Sequence, residues 1–193
     1  MTVPVEFFGA ASVYEQCPAG QKPEVALAGR SNVGKSSLLN ALAKRKKLAA
    51  VSKTPGRTRT INFYLVKNSY FLVDLPGYGY ARVPGELKTN WSRLVEDYLH
   101  NRKQLRGILH LVDIRLTPGE LDRQLAEWLR FSGLPAAVVA TKADKISRGE
   151  GQRQLALIKE ALRLPADVPL IRFSAVTGEG KKELWQIIEK WVN

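Results

Sequence analysis

Residues Gly29-Arg30-Ser31-Asn32-Val33-Gly34-Lys35-Ser36 meet the pattern G-x-x-x-x-G-K-[ST] at every fixed position. Their flanks supply the context that the pattern needs. Glu24 to Ala28 (EVALA) is a short apolar run of strand character, and from Gly34 the chain turns helical, with Leu38, Leu39 and Leu42 on one face. Strand, glycine loop and helix in that order make a cradle for phosphate. Glycine lets the backbone wrap closely, so that successive N–H groups and the positive end of the helix point at negative charge. In such a loop Lys35 reaches the β- and γ-phosphates, the Ser36 hydroxyl ligates Mg2+, and Ser37 completes the contacts.

A chain of 193 residues, 45% hydrophobic and 25% charged, is long enough for one core and short for two. One domain over 1–193 is expected, with 1–22 an N-terminal extension packed on it. The single cysteine, Cys17, excludes an intramolecular disulfide framework and fits a reducing compartment. No apolar run approaches a membrane span, and the start MTVPVEFFGA lacks the basic-then-apolar order of a signal peptide, so a cytoplasmic protein is expected. Thirty Lys and Arg against eighteen Asp and Glu leave +12. A nucleotide with Mg2+ cannot neutralise that excess, which points to a further polyanionic partner. The densest basic runs, Lys44-Arg45-Lys46-Lys47 and the scattered Lys53, Arg57 and Arg59, suit a nucleic-acid-facing surface; the plainer alternative is solvated loop charge.

Apolar runs alternate with helical patterns along the chain, which predicts an α/β fold. The segment from about Arg45 to Thr60 is polar and basic and reads as a mobile loop. Ile61–Val66 and Tyr70–Asp74, separated by Lys67-Asn68-Ser69, predict a hairpin with an antiparallel edge. A helix carrying Leu87, Trp91, Leu94, Val95, Tyr98 and Leu99 follows the glycine-rich 77–85. Then come a strand over 107–113, a helix opened by a capping box at Thr117-Pro118-Gly119-Glu120, a strand over 136–140, and a helix begun by Ser147-x-x-Glu150. A strand over 168–173 and a C-terminal helix finish the chain, and the four tryptophans read mostly as core or core-edge.

A phosphate loop alone leaves the base and the reaction open. Asp74-Leu75-Pro76-Gly77 closes a strand as D-x-x-G: the carboxylate can bind Mg2+ through water, and the Gly77 N–H can bond a γ-phosphate whose loss would free the loop beyond. Thr141-Lys142-Ala143-Asp144 ends a strand as [NT]-K-x-D. Its carboxylate can accept from guanine N1–H and the exocyclic amine, donors that adenine lacks there, while Lys142 lies along the base and braces the phosphate loop. Phe173-Ser174-Ala175 closes the last strand, and Ser174-Ala175 match the short motif whose backbone N–H contacts guanine O6. These motifs stand in order at strand C-terminal ends, where an open α/β sheet binds ligands.

The set resembles the translation-factor-related branch of P-loop GTPases. Within it, Gly29–Ser36, Pro55-Gly-Arg-Thr-Arg-Thr-Ile-Asn-Phe63, Asp74-Leu-Pro-Gly-Tyr-Gly-Tyr-Ala81 and Thr141–Asp144 are similar to the EngB family, also called YihA or YsxC. The resemblance runs from the first strand to the last helix. It implies a three-layer Ras-like domain: a mostly parallel six-stranded sheet with one antiparallel edge strand and helices on both faces. It also implies a monomeric bacterial cytoplasmic GTPase, using GTP/GDP and Mg2+, that acts in large ribosomal subunit assembly and is needed for division and septation. The partners would be the subunit precursor, its rRNA and ribosomal proteins, with no membrane or DNA. The alternative is a GTP-dependent ribosome-binding module with negligible hydrolysis.

By the same resemblance Gly56, Arg57, Thr58, Arg59 and Thr60 contact the nucleotide, and Thr58 joins Ser36 and Asp74 at Mg2+; Thr60 is its rival. Lys35, Thr58, Gly77 and Asn32 are the catalytic candidates. Where Ras-like enzymes carry a water-orienting glutamine, this chain has Tyr78, whose ring is expected to point away, leaving hydrolysis slow without help. Asn32 matches an asparagine that ligates K+ in related GTPases; a local backbone hydrogen bond is the other reading. Arg57 and Arg59 suit RNA phosphates or an arginine finger. His100, His110 and Asp113 carry no motif.

Overall fold

The computed structural model describes residues 3–45, 48, 49, 60–78 and 85–193, of which 85–92 are described in the backbone alone. The strands are β1 (Val5–Ala11), β2 (Glu24–Gly29), β3 (Ile61–Val66), β4 (Tyr70–Asp74), β5 (Leu105–Asp113), β6 (Ala136–Thr141) and β7 (Leu170–Arg172). The helices are α1 (Lys35–Ala43), α2 (Gly85–Asn101), α3 (Glu120–Ser132), α4 (Arg148–Ala161) and α5 (Lys181–Val192). The strands form one sheet in the order β1-β3-β4-β2-β5-β6-β7.

Every residue of β2 is buried, as expected for a central strand covered on both faces. Alternation then assigns its side chains. Val25 and Leu27 pack with Leu38, Leu39 and Leu42 of α1 and Leu184 and Ile188 of α5. Ala26 and Ala28 face Phe63, Phe71, Tyr98 and Leu129 on the α2 and α3 side. A third cluster joins Val112 and Val138 to Ala126 of α3, to Ile158 of α4 and to Leu162, which caps that helix. Trp185 and Trp191 pack against the first cluster and Trp128 against the second, at the core edge. The side chain of Trp91 lies outside the described residues.

Among the described residues the sheet has seven strands rather than the six expected, because the N-terminal segment contributes one. β1 pairs antiparallel with β3, from Val5 opposite Val66 to Ala11 opposite Ile61, with a bulge between Phe7 and Gly9. β3, itself antiparallel to β4, is therefore covered and not an edge. The outer strand hides backbone groups of β3 that would otherwise be open to pairing. The other pairings, β4 to β2, β2 to β5, β5 to β6 and β6 to β7, are parallel, so their C-terminal ends share one rim.

The hairpin turn closes by a bond from Ser69 N–H to the Val66 carbonyl, 2.8 Å. Ser147 caps α4 as expected, accepting from Glu150 N–H at 3.2 Å. The start of α3 differs. Gly119, not Thr117, is the capping residue; its N–H donates to Asp122 Oδ2 at 2.8 Å. Pro118 precedes the cap, and Glu120 pairs with Arg123 at 3.0 Å instead. The cap thus sits two residues further in, completed by a carboxylate that has a second task described below.

At the opposite end of the sheet Glu24, fully buried, accepts from Arg102 Nε at 3.0 Å and from its terminal nitrogen at 2.6 Å. Tyr98 Oη donates to the same carboxylate at 2.8 Å. This cluster ties the end of α2 to the start of β2. Cys17 nearby is half-buried and unbridged, and burial pushes its thiol up to about 11, so it is no reactive thiolate.

Candidate nucleotide site

The phosphate loop runs from the end of β2 into α1. Gly34 sits at φ 116°, a backbone that favours glycine, and it is the residue from which α1 starts. The loop is braced from the neighbouring strand. Thr141 Oγ1 donates to the Val33 carbonyl at 2.6 Å, with the Val112 carbonyl also at 3.0 Å. Lys142, at φ 62°, donates from Nζ to the Asn32 carbonyl at 2.9 Å. The predicted bracing role of Lys142 is therefore present in the geometry.

Lys142 is itself held. Asp113 Oδ2 accepts from Lys142 Nζ at 2.8 Å and from the Arg115 guanidinium at 2.7 Å. Burial alone would raise the Asp113 carboxyl, but the hydrogen bonds from Arg115 and Lys142 outweigh it and hold the group at about 2. Asp113, which carries no sequence motif, is thus a positioning residue for Lys142. The available sequence signal was its place at the end of the strand next to the one that ends in Thr141.

Asp144 and Ser174 meet from two strand ends: Ser174 Oγ donates to Asp144 Oδ1 at 2.8 Å. Lys145 Nζ lies 3.4 Å from Oδ2. Burial opposes ionisation of Asp144, but Ser174, a backbone N–H and Lys145 prevail and hold its carboxyl below the usual range. Ala143 N–H bonds the Phe173 carbonyl at 3.0 Å. Phe173 and Ser174 are buried, while Ala175 is exposed beside them.

Lys35 and Asp74 are both buried in the floor of the loop. Burial lowers the Lys35 ammonium and raises the Asp74 carboxyl to about 6, each opposed by the charge of the other. Lys35 Nζ donates to the Gly29 carbonyl at 3.3 Å. Asp74 Oδ1 has no hydrogen-bond partner among the described residues, and no bond is made there by the half-buried Ser36 hydroxyl either. An orphaned buried carboxylate oxygen beside a buried ammonium is what a phosphate and a hydrated divalent cation would satisfy. The residues fit that group.

Asn32 adopts φ 62° and is exposed. Its side-chain amide makes no hydrogen bond among the described residues, so the local backbone bond weighed against a K+ role does not occur there. Gly56, Arg57, Thr58 and Arg59 lie outside the described residues, as do Lys46, Lys47 and Lys53. The Thr60 hydroxyl donates to Asn62 Oδ1 at 3.2 Å. Leu75 and Pro76 are buried and lead to Gly77. Tyr78 does turn inward: its hydroxyl donates to Asp122 Oδ1 at 2.7 Å and lies 3.0 Å from His110 Nε2. Sequence reasoning set His110 aside and never raised Asp122 for the site. The one signal was a histidine facing inward on an otherwise apolar strand.

The sequence profile of the 50S ribosome-binding GTPase family matches residues 24–142. The probable GTP-binding protein EngB of Pelotomaculum thermopropionicum is 56% identical over 187 residues, covering 97% of this chain and 94% of that protein. The chain belongs to the EngB family of P-loop GTPases. A crystal structure of a probable GTP-binding protein engB matches with TM-score 0.73 at 29% identity, over 88% of this chain and 98% of that one. NFeoB from S. thermophilus, in a crystal structure bound to GDP.AlF4- and K+, matches with TM-score 0.61 at 26% identity, over 88% of this chain and 60% of that one. Membership of that family makes GTP and GDP the nucleotides that the chain would use. Among the described residues no helix is long and apolar enough to cross a membrane, and no cluster of His, Cys, Asp and Glu could hold a metal on its own.

Proposed function

We propose that this chain is a GTP-hydrolysing switch acting in assembly of the large ribosomal subunit, in the cytoplasm and as a monomer, and so needed for division and septation. The observation that carries this reading is the bond from Lys142 Nζ, in the T-K-A-D segment, to the Asn32 carbonyl of the phosphate loop at 2.9 Å, which ties the base-recognition motif to the phosphate-binding one. We take 1–193 as one GTP-binding domain, with 1–22 an extension whose strand extends the sheet. The family profile's description as ribosome-binding and the +12 charge support an RNA-rich partner.

In this reading Gly29 to Ser37 wrap the phosphates, Lys35 neutralises the β- and γ-phosphates, and Asp144 with Phe173 to Ala175 surrounds guanine. Ser36, Asp74 and Thr58 would hold Mg2+, which would offset charge on the phosphate oxygens. Gly77 N–H would meet the γ-phosphate. Asn32 is the residue we assign to K+, supported by its open amide and by the K+ bound to the related NFeoB structure. Tyr78 stands where Ras-like enzymes carry a water-orienting glutamine, which favours slow hydrolysis without K+ or the ribosome. The same observation keeps the second reading alive, a ribosome-binding module whose hydrolysis is negligible.

Co-sedimentation with large ribosomal subunits tests the partner. Binding is expected with a non-hydrolysable GTP analogue and not with GDP, and it should weaken steeply with added salt as counterions are released. Equal pelleting with both nucleotides would contradict the switch, and a flat salt response would contradict an RNA contact.

A further inference from the structure

The residue after the D-x-x-G glycine is fastened at both its backbone and its side chain. Tyr78 N–H donates to the Gly29 carbonyl at 3.3 Å, and Ser31 N–H donates to the Tyr78 carbonyl at 3.0 Å, an isolated parallel bridge between this segment and the phosphate loop. The side chain is anchored by the two bonds to Asp122 and His110. Because the hydroxyl gives its proton to the carboxylate, it accepts from His110, which places a proton on Nε2. Both anchors are rigid. His110 is fully buried on β5, and Asp122 is 3% exposed, with its other oxygen capping α3 at Gly119.

This fastening places Gly77 directly on the phosphate loop. A Cβ there would lie 2.8 Å from Ser31 Cα and N and 3.0 Å from Lys35 Nζ. A phosphate group is far larger than a methyl. It cannot stand between Lys35 and Gly77 while Tyr78 stays bridged to Ser31. A diphosphate, which needs no contact with Gly77, meets no such obstacle.

We propose that Tyr78, held by His110 and Asp122, is a latch that keeps Gly77 against the phosphate loop and opposes entry of the third phosphate. The latch rests on the reading above, in which Lys35 and Gly77 both bind the γ-phosphate. Tyr78 is a positioning residue here. Its hydroxyl sets the energy difference between the closed segment, compatible with GDP, and the lifted one that GTP requires. The ion that lifts it is the γ-phosphate itself, so the aromatic side chain is released only in the triphosphate state.

Equilibrium titration of the full chain with fluorescent GDP and a fluorescent non-hydrolysable GTP analogue, both with Mg2+, tests this. Tyr78→Phe keeps the ring and deletes the bond to the carboxylate. Its ratio of triphosphate to diphosphate affinity is expected to rise about tenfold, with GDP affinity little changed. Asp122→Asn, which keeps a neutral polar group opposite the hydroxyl, should shift the ratio in the same direction by a smaller factor. A general loss of fold would lower both affinities together. An unchanged ratio in both variants, while the wild-type chain binds both nucleotides, overturns the latch alone. Failure of the wild-type chain to bind the triphosphate would instead overturn the switch reading, and the latch with it.

Discussion

Asp144→Asn is expected to weaken GDP and GTP binding by about 100-fold or more and to erase most of the preference over adenine nucleotides. Guanine presents two donors side by side, N1–H and the exocyclic amine, and a carboxylate presents two acceptors. An amide presents one acceptor and one donor, so one pair becomes donor against donor. The loss combines a charge-assisted hydrogen bond with a buried unsatisfied group, each about 1.5–3 kcal/mol. The wild-type carboxylate is well prepared, since Ser174 Oγ already fixes Oδ1 at 2.8 Å. Xanthine carries a carbonyl where guanine has the amine, so xanthosine diphosphate should gain affinity in the variant. Competition of GDP, XDP and ADP against a fluorescent guanine nucleotide reads all three. An unaltered order of preference would mean that Asp144 does not recognise the base.

The largest stability effect is expected from Glu24→Ala. Glu24 is fully buried, and three donors converge on it from Arg102 and Tyr98. Removing the carboxylate strands the Arg102 guanidinium, whose side chain is 8% exposed. Breaking one partner out of a buried pair costs about 3–5 kcal/mol. At this chain length that corresponds to a melting temperature lower by roughly 10 °C. Arg102 also donates to the Pro18 carbonyl at 2.7 Å, so the segment preceding β2 loosens with it. Thermal unfolding followed by circular dichroism measures the change; a melting temperature within about 2 °C of wild type would show that the pair adds little. Nucleotide affinity below the transition should be nearly unchanged, because the cluster lies at the other end of β2 from the phosphate loop.

What could be read from the sequence follows from the range of the interactions involved. The phosphate loop, D-x-x-G and T-K-A-D are local backbone features, so their residue types show in short stretches. Even the bracing role of Lys142 was legible, because the motif fixes where its side chain must go. Three features were not. β1 pairs with a strand at least fifty residues away, and its run VEFFGAA carries no clean alternation because a bulge breaks the period. The capping of α3 passed from Thr117 to Gly119 and Asp122 because that carboxylate is fixed by Tyr78, a contact across 44 residues. His110 and Asp113 looked inert for the same reason. His110 acts through Tyr78 and Asp113 through Lys142, partners distant in sequence that only the folded chain brings together.

In the proposed function this site hydrolyses GTP as a timed switch. The most direct measurement is single-turnover hydrolysis of GTP and of ATP, in K+ and in Na+, with and without large ribosomal subunits. The expected result is a slow basal GTP rate, raised by K+, by the subunit or by both, with ATP inert throughout. Hydrolysis that no condition stimulates, or an ATP rate equal to that of GTP, would contradict it.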